Sequence, residues 1–232
     1  MILRPWNELP ENMRTEEVRP YYDILSKHKV SLILKRLFDF TVSLIMLLFL
    51  WPVMIMIAAL IKVDSPGPAI FFQERVTTYG KIFKIWKFRT MIAEAEKIGA
   101  QVTISNDNRI TKIGKVLRKT RLDEIPQLIN ILCGDMSFVG TRPEVVKYVQ
   151  HYTPEMMATL LLPAGVTSEA SIRYKDEYKL LSGAENIDQT YINQVLPAKM
   201  VWNLNSISRF SFPREILTMF RTVCAVLGKE YS

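Results

Sequence analysis

Asp123 and Glu124 stand side by side after a basic run, Arg118-Lys119-Thr120-Arg121, and ahead of Ile125-Pro126-Gln127-Leu128-Ile129-Asn130-Ile131-Leu132-Cys133-Gly134. Two adjacent carboxylates beside arginines suit phosphoryl chemistry. One can serve as nucleophile or base, and the pair can supply the one or two carboxylates that Mg²⁺ takes together with phosphate oxygens. Apolar residues at 125, 128, 129 and 132 repeat at helical spacing, Gly134 suits a C-terminal cap, and Pro126 is tolerated only in a first turn. These signals predict a helix over Asp123 to Cys133 with Asp123 as its N-cap, where free N–H groups and the helix dipole favour a carboxylate and a bound phosphate. An isolated Asp-Glu pair is far more often a plain cap than a reaction centre, so the pair alone does not decide.

Holding such a pair against a ligand requires a packed scaffold, and the chain supplies the patterns for one. Asp64-Ser65-Pro66-Gly67-Pro68 is a strong breaker, after which Ala69 to Val76 and Ile82 to Phe88 read as two strands of a hairpin around Thr77-Thr78-Tyr79-Gly80. Helical patterns follow at Met91 to Gly99, Ile110 to Lys119, Glu144 to Tyr152, Glu155 to Leu162, Lys175 to Leu181, Asp188 to Asn205 and Pro213 to Leu227. Residues 1–30 read as an irregular arm leading into an amphipathic stretch around Tyr21 to Arg36. No repeat or low-complexity tract interrupts this order.

Phe40 to Ile61 holds 22 residues without a charge. At about 1.5 Å per residue that run matches the hydrocarbon thickness of a bilayer. Its late start, its length and the Lys62-Val63-Asp64 that follows are unlike a cleavable signal peptide, so it is expected to be retained. Two features argue against a simple crossing. Pro52 lies near the middle and removes a helical N–H. Both flanks are basic, with Lys27, Lys29, Lys35 and Arg36 before and Lys62, Arg75, Lys81 and Lys84 after, whereas a crossing helix shows a bias toward one side. A re-entrant helix-break-helix over residues 31–63, broken at Pro52 with both ends cytoplasmic, satisfies both; a Pro-kinked ordinary span is the alternative.

Composition narrows the classes further. The formal charge is +7, with 49% hydrophobic and 23% charged residues, enough apolar material for a buried core and the wrong balance for an acidic disordered tail or a collagen. Cys133 and Cys224 lie apart with no metal-ligand spacing, which fits a reducing compartment. A sequence pI near 9.4 raises nucleic-acid binding, but the charge flanks an apolar segment and no nucleic-acid motif is present, so no nucleic-acid partner is expected.

Beyond the dyad, long stretches in order carry a resemblance: Lys35-Arg36-Leu37-Phe38-Asp39, Gly67-Pro68-Ala69-Ile70-Phe71-Phe72-Gln73-Glu74-Arg75, Lys87-Phe88-Arg89-Thr90-Met91, Leu122 to Leu132, Gly134 to Glu144 and Pro163 to Ser168. Together they closely resemble the bacterial sugar transferases, and more specifically a small monotopic polyprenyl-phosphate phosphoglycosyl transferase. The resemblance implies transfer of a sugar 1-phosphate from a UDP-sugar to undecaprenyl phosphate through a covalent phosphosugar-aspartate, with Mg²⁺ as cofactor. It places the nucleophile at Asp123, metal binding at Glu124 with Asp123, and basic phosphate or substrate contacts at Lys87, Arg118 and Arg142. Arg89 and Arg173 are weaker candidates for the same role, each with a structural alternative.

The fold class expected is α/β, mostly helical with a small β-hairpin, with one N-terminal re-entrant membrane helix and a cytoplasmic catalytic domain over residues 64–232. Expected partners are the UDP-sugar, undecaprenyl phosphate, membrane lipids, a second copy of the chain and downstream glycosyltransferases. The expected location is the cytoplasmic face of a bacterial inner membrane. Three departures stand out: Trp51 precedes Pro52 where Ser is common, Gly140-Thr141-Arg142-Pro143 replaces Gly-Pro-Arg-Pro, and Pro163 precedes Ala164-Gly165-Val166-Thr167. A non-catalytic membrane scaffold using the same apolar segment and basic flanks is the rival.

Overall fold

The computed structural model describes residues 3–92, 107–174 and 186–226. Its longest element is α2, Lys29–Asp64, preceded by α1, Arg19–Lys27. α2 is, among the described residues, the one helix long and apolar enough to cross a membrane. It runs unbroken through Pro52, so the expected interruption there is absent. The physical reason is that a single proline removes one i→i−4 bond and leaves the bonds on either side intact.

One narrow face of α2 is tied to the rest of the molecule along its whole length. Near its start, Lys35 Nζ donates to the Val139 carbonyl at 2.7 Å and pairs with Glu215, while Arg36 donates to the Ile131 and Leu132 carbonyls at 2.7 and 2.9 Å. Asp39 accepts from Ser137 Oγ and from the Phe138 N–H. In the middle, Leu47 and Leu50 pack on Phe83, Ile85, Leu128 and Ile131, and further on Val53, Met54, Ile57, Ala58 and Ile61 pack on Phe88 and Leu117. At its end Asp64 accepts the Ile113 N–H at 3.0 Å. The opposite face exposes Leu37, Leu48, Phe49, Trp51, Ile55 and Val63. An apolar face of that size on a water-soluble surface has no physical justification unless lipid or protein covers it.

The hairpin falls where the breaker and the Gly-containing turn place it. β1, Ile70–Val76, and β2, Ile82–Phe88, pair antiparallel with Phe71 opposite Lys87 and Gln73 opposite Ile85. Two helices pack beside it: α3, Lys112–Thr120, and α4, Gln127–Cys133, closed by Gly134 in the left-handed region at φ 91° as its position predicts. Asn130 of α4 behaves like a further strand, accepting the Trp86 N–H at 3.0 Å and donating to the Lys84 carbonyl at 2.9 Å.

A second small sheet was not legible in the pattern. β3, Met136–Val139, pairs parallel with β4, Ala164–Thr167. Both are four residues long, too short for a period-2 signal to emerge. The ladder continues past β3 because Gly140 and Gly165 touch: a Cβ on Gly165 would lie 2.1 Å from the Gly140 nitrogen. Gly140 N–H then bonds the Thr167 carbonyl and Gly165 N–H the Thr141 carbonyl, both at 2.9 Å, which fixes the chain that leads into Arg142.

The remaining helices are α5, Val146–Val149, a 3₁₀ segment Glu155–Leu161, α6, Glu169–Arg173, and α7, Ile187–Thr190; α7 continues through a π turn into α8, Leu196–Ser208, followed by α9, Phe212–Val226. The helices expected over Glu144 to Tyr152 and Glu155 to Leu162 are thus a single α turn and a 3₁₀ segment. Most of the helix expected at Met91 to Gly99, and the one at Lys175 to Leu181, lie outside the described residues. The N-terminal arm is built into the core: Leu9, Met13 and Val18 are buried with Leu160, Leu161 and Ile207, each such burial worth about 1.5–3 kcal/mol.

Candidate active site

Four separate elements converge on the dyad. α3 ends at Arg121, which adopts φ 58°, a left-handed conformation that costs a non-glycine residue about 1–2 kcal/mol. That sharp turn starts a 3₁₀ turn, Leu122–Glu124, and only then, with Pro126 as N-cap, does α4 begin. Asp123 is therefore not the cap of α4, as the spacing predicted, but a residue of the preceding turn. The proline accounts for the shift: it fits the start of a helix and cannot donate within one.

Glu124 Oε1 accepts from Lys87 Nζ of β2 at 3.1 Å and from Arg142 Nη2 of the loop after β3 at 2.5 Å. Burial alone would raise the Glu124 carboxyl, but Arg142 and Lys87 outweigh it and hold the group well below the usual carboxylate range. Burial pulls the Lys87 ammonium down, and Glu124 opposes that shift. Asp123 behaves in the opposite way. It is 9% exposed, its Oδ1 is buried with no hydrogen-bond partner, and burial followed by the adjacent Glu124 charge raises its carboxyl against the pull of Lys87, Arg118 and Arg121. Two neighbouring carboxylates thus diverge, one a fixed anion clasped by cations and the other basic and unattended. That division is typical of paired groups with different chemical tasks.

Arg118 approaches from α3, where Gly114 lies so close to Thr90 that a Cβ would meet the Thr90 carbonyl oxygen at 2.0 Å. The approach lets Arg118 Nε donate to Thr90 Oγ1 at 2.9 Å and lends its charge to Asp123. Lys87, Arg118 and Arg142 therefore gather at the dyad as expected. Arg89 does not. Its guanidinium donates to the Ser65 and Pro66 carbonyls at 2.7 and 2.8 Å and clamps the end of α2 to β2. β2 stops at Phe88, so the alternation that aims Lys87 inward no longer governs Arg89. Arg173 stacks over Trp202, 3.8 Å from the ring centre, in a separate cavity of about 430 Å³ that also receives Arg209, Arg214 and Asn203.

A scan of the chain against family descriptions matches bacterial sugar transferase over residues 30–229. The chain belongs to the bacterial sugar transferase family. Among relatives, it is 34% identical over 84% of its length to a UDP-N-acetylgalactosamine-undecaprenyl-phosphate N-acetylgalactosaminephosphotransferase of Aeromonas hydrophila, and covers 44% of that protein. It is 42% identical over 70% of its length to the UDP-glucose:undecaprenyl-phosphate glucose-1-phosphate transferase of Escherichia coli, of which it covers 35%. It is also 42% identical over 64% of its length to a putative undecaprenyl-phosphate N-acetylgalactosaminyl 1-phosphate transferase of Bacillus subtilis, covering 82% of it. The chain thus spans less than half of the first two relatives and most of the third.

Within this family member, sequence reasoning missed Thr90 as the anchor of Arg118 and the left-handed Arg121. Thr90 stands in the Lys87-to-Met91 motif, a signal that could have found it; a left-handed arginine leaves no mark in sequence. Among the described residues no group of three or more His, Cys, Asp and Glu could hold a metal alone. The second oxygen of Glu124, with the Asp123 carboxyl beside it, fits Mg²⁺, which takes one or two carboxylates and completes its shell with substrate phosphates and water.

Because burial raises Asp123, its ionised form is reached only above the ordinary carboxylate value of about 3.9. In the metal-free protein the Asp123 carboxyl therefore titrates above that value, whereas bound Mg²⁺ would draw it back down. Asp123 also contributes stability below about pH 3.9 that is lost as pH rises through its folded pKa. Titration of Asp123 at or below the ordinary value, followed by carboxyl NMR in the metal-free protein, contradicts this placement.

Proposed function

We propose that the protein transfers a sugar 1-phosphate from a UDP-sugar to undecaprenyl phosphate, at the cytoplasmic face of a bacterial inner membrane. The observation that carries this is the buried, unpartnered Asp123 Oδ1 beside Glu124, Lys87, Arg118 and Arg142 in a chain of this family. The names of the relatives supply the two substrate classes.

Asp123 attacks the phosphorus that bears the sugar. An O–P bond forms to the carboxylate, the bond to the bridging oxygen breaks, and uridine monophosphate leaves with the electron pair. The phosphate of the polyprenyl carrier then attacks the same phosphorus and returns Asp123 to a carboxylate. Lys87, largely buried, and Arg142, partly exposed, are both held on Glu124 and placed to exchange part of that contact for phosphate oxygens; Arg142 can do so bidentately and Lys87 as a point charge. Arg118 adds positive potential where the anionic donor must approach an anionic nucleophile. Mg²⁺ held by Asp123 and Glu124, when bound, offsets diphosphate charge. The lipid product then serves downstream glycosyltransferases.

In the same reading α2 enters the membrane and returns both ends to the cytoplasmic side as one continuous helix bent, not broken, at Pro52. Support comes from the ties at Lys35, Arg36 and Asp39 and at Asp64 and Ser65, which bind both ends of α2 to one domain, and from the basic residues on both flanks. In a variant whose Cys133 and Cys224 are replaced by Ser, cysteines at Lys29 and Lys62 are expected to react with an impermeant maleimide from the cytoplasmic side only. Labelling of the two positions from opposite sides overturns this topology.

The deciding experiment is uridine monophosphate release from a panel of UDP-sugars, with and without undecaprenyl phosphate and Mg²⁺. Multiple-turnover release that needs lipid, metal and Asp123, with at most one equivalent released in the absence of lipid, supports the proposal. No release from any donor favours the scaffold reading.

A further inference from the structure

Gln127 is 1% exposed, and its side-chain Nε2 is buried without a hydrogen-bond partner. A buried amide donor left unpaired costs about 1–3 kcal/mol, and native structures hold few of them. Its place makes the orphan informative. Ile125 and Pro126 have right-handed helical backbone, and the Leu128 N–H bonds the Ile125 carbonyl at 3.0 Å. Asp123 and Gln127 are therefore about one turn apart along a stretch wound by i→i+3 bonds, within side-chain reach of one phosphoryl group. The first holds an orphaned acceptor, Oδ1, and the second an orphaned donor, Nε2. Neither satisfies the other, and both are withdrawn from bulk water.

An acceptor without a donor is a good nucleophile, and a donor without an acceptor is positioned for an oxygen that arrives with the substrate. We propose that Gln127 is a catalytic residue whose Nε2–H donates to a non-bridging oxygen of the phosphoryl group as that group is bonded to Asp123. This rests on the phosphosugar-transfer reading above. In the transition state negative charge spreads over the three equatorial oxygens, and a fixed, desolvated donor stabilises that charge without reorganising. The ground state carries the desolvation cost of the orphan, and the reaction removes it.

The two roles Gln127 could have differ in the sign of their effect on stability. Gln127→Met keeps the approximate volume and removes the donor. If the amide served the fold, the variant would lose stability. If it waits for the substrate, removing an unsatisfied group leaves stability unchanged or raises it while the chemistry slows. The protein is mixed with Mg²⁺ and UDP-N-acetylgalactosamine or UDP-glucose without lipid acceptor, and adduct formation is followed by rapid quench and intact mass beside the thermal midpoint. The expected result is a rate lower by about 10²–10³-fold with an unchanged or higher midpoint. Gln127→Leu is the second variant should Met pack badly. A rate within about threefold of wild type overturns the inference, and so does a midpoint that falls with the rate in both variants. If wild type forms no adduct with either donor, the function reading fails first and the inference with it.

Discussion

Asp123→Asn is expected to abolish the covalent phosphosugar adduct and to cut uridine monophosphate release by about 10⁴-fold or more, the scale on which removal of an enzymatic nucleophile acts. The fold should survive. Asp123 Oδ1 makes no hydrogen bond, and burial disfavours its charged form, so a neutral isostere removes a cost and breaks no hydrogen bond of that oxygen. The measurement is intact mass after incubation with donor, beside nucleotide release and thermal unfolding. A sugar-phosphate adduct in Asp123→Asn refutes the assignment of the nucleophile. An inactive variant that is also unfolded would show that Asp123 serves the core instead.

Glu124→Gln acts by the opposite route and should damage both stability and activity. Glu124 Oε1 is the shared acceptor of Lys87 and Arg142. Without its charge, two cations face each other across a largely desolvated space. Breaking a buried pair costs about 3–5 kcal/mol, and the lower end applies because the Arg142 side chain is 34% exposed. Turnover should fall with it, since the cations lose the anchor that holds them at the phosphate position. Denaturant unfolding of Glu124→Gln and of Glu124→Gln with Lys87→Met separates the effects: the double variant should recover stability but not turnover. The pH dependence gives a second readout. Glu124 is held low, so its contribution to stability is present above about pH 4.3 and is lost as pH falls toward its folded value. That part of the acid-side loss should be missing in the variant. Full stability in Glu124→Gln would contradict the clasp.

The two variants together describe a site whose parts carry opposite energetic signs. Glu124 is stabilising through its cations, and Asp123 is tolerated by the fold at a cost. Residues that break the local rules of a protein are those expected to serve its reaction. The left-handed Arg121 belongs with them, since it creates the turn that separates Asp123 from α4.

Periodicity read the long and local elements correctly. The hairpin from Ile70 to Phe88 follows from two apolar, strand-forming runs on either side of a Gly-containing turn, and the end of α4 follows from Gly134. α2 follows from a charge-free run of membrane length. The start of α4 was misplaced because an acidic pair before an apolar run looks the same whether it caps a helix or occupies the turn before it. β3 and β4 escaped because four-residue strands carry too little pattern, and their pairing rests on two glycines in contact. The arm looked separate because its apolar residues, Leu9, Met13 and Val18, have no period, yet tertiary burial needs none.

By itself the sequence determined the dyad, the basic residues near it, the membrane-length helix and the family, because each is a matter of residue type and order along the chain. Tertiary structure alone decided which cations serve the dyad. Lys87 and Arg89 are two positions apart and chemically alike, but β2 ends between them, sending one to Glu124 and the other to the carbonyls after α2. It also decided that Glu124 is clasped while Asp123 Oδ1 is left without a hydrogen-bond partner, a difference set by three-dimensional placement of charge and solvent that adjacency in sequence does not encode.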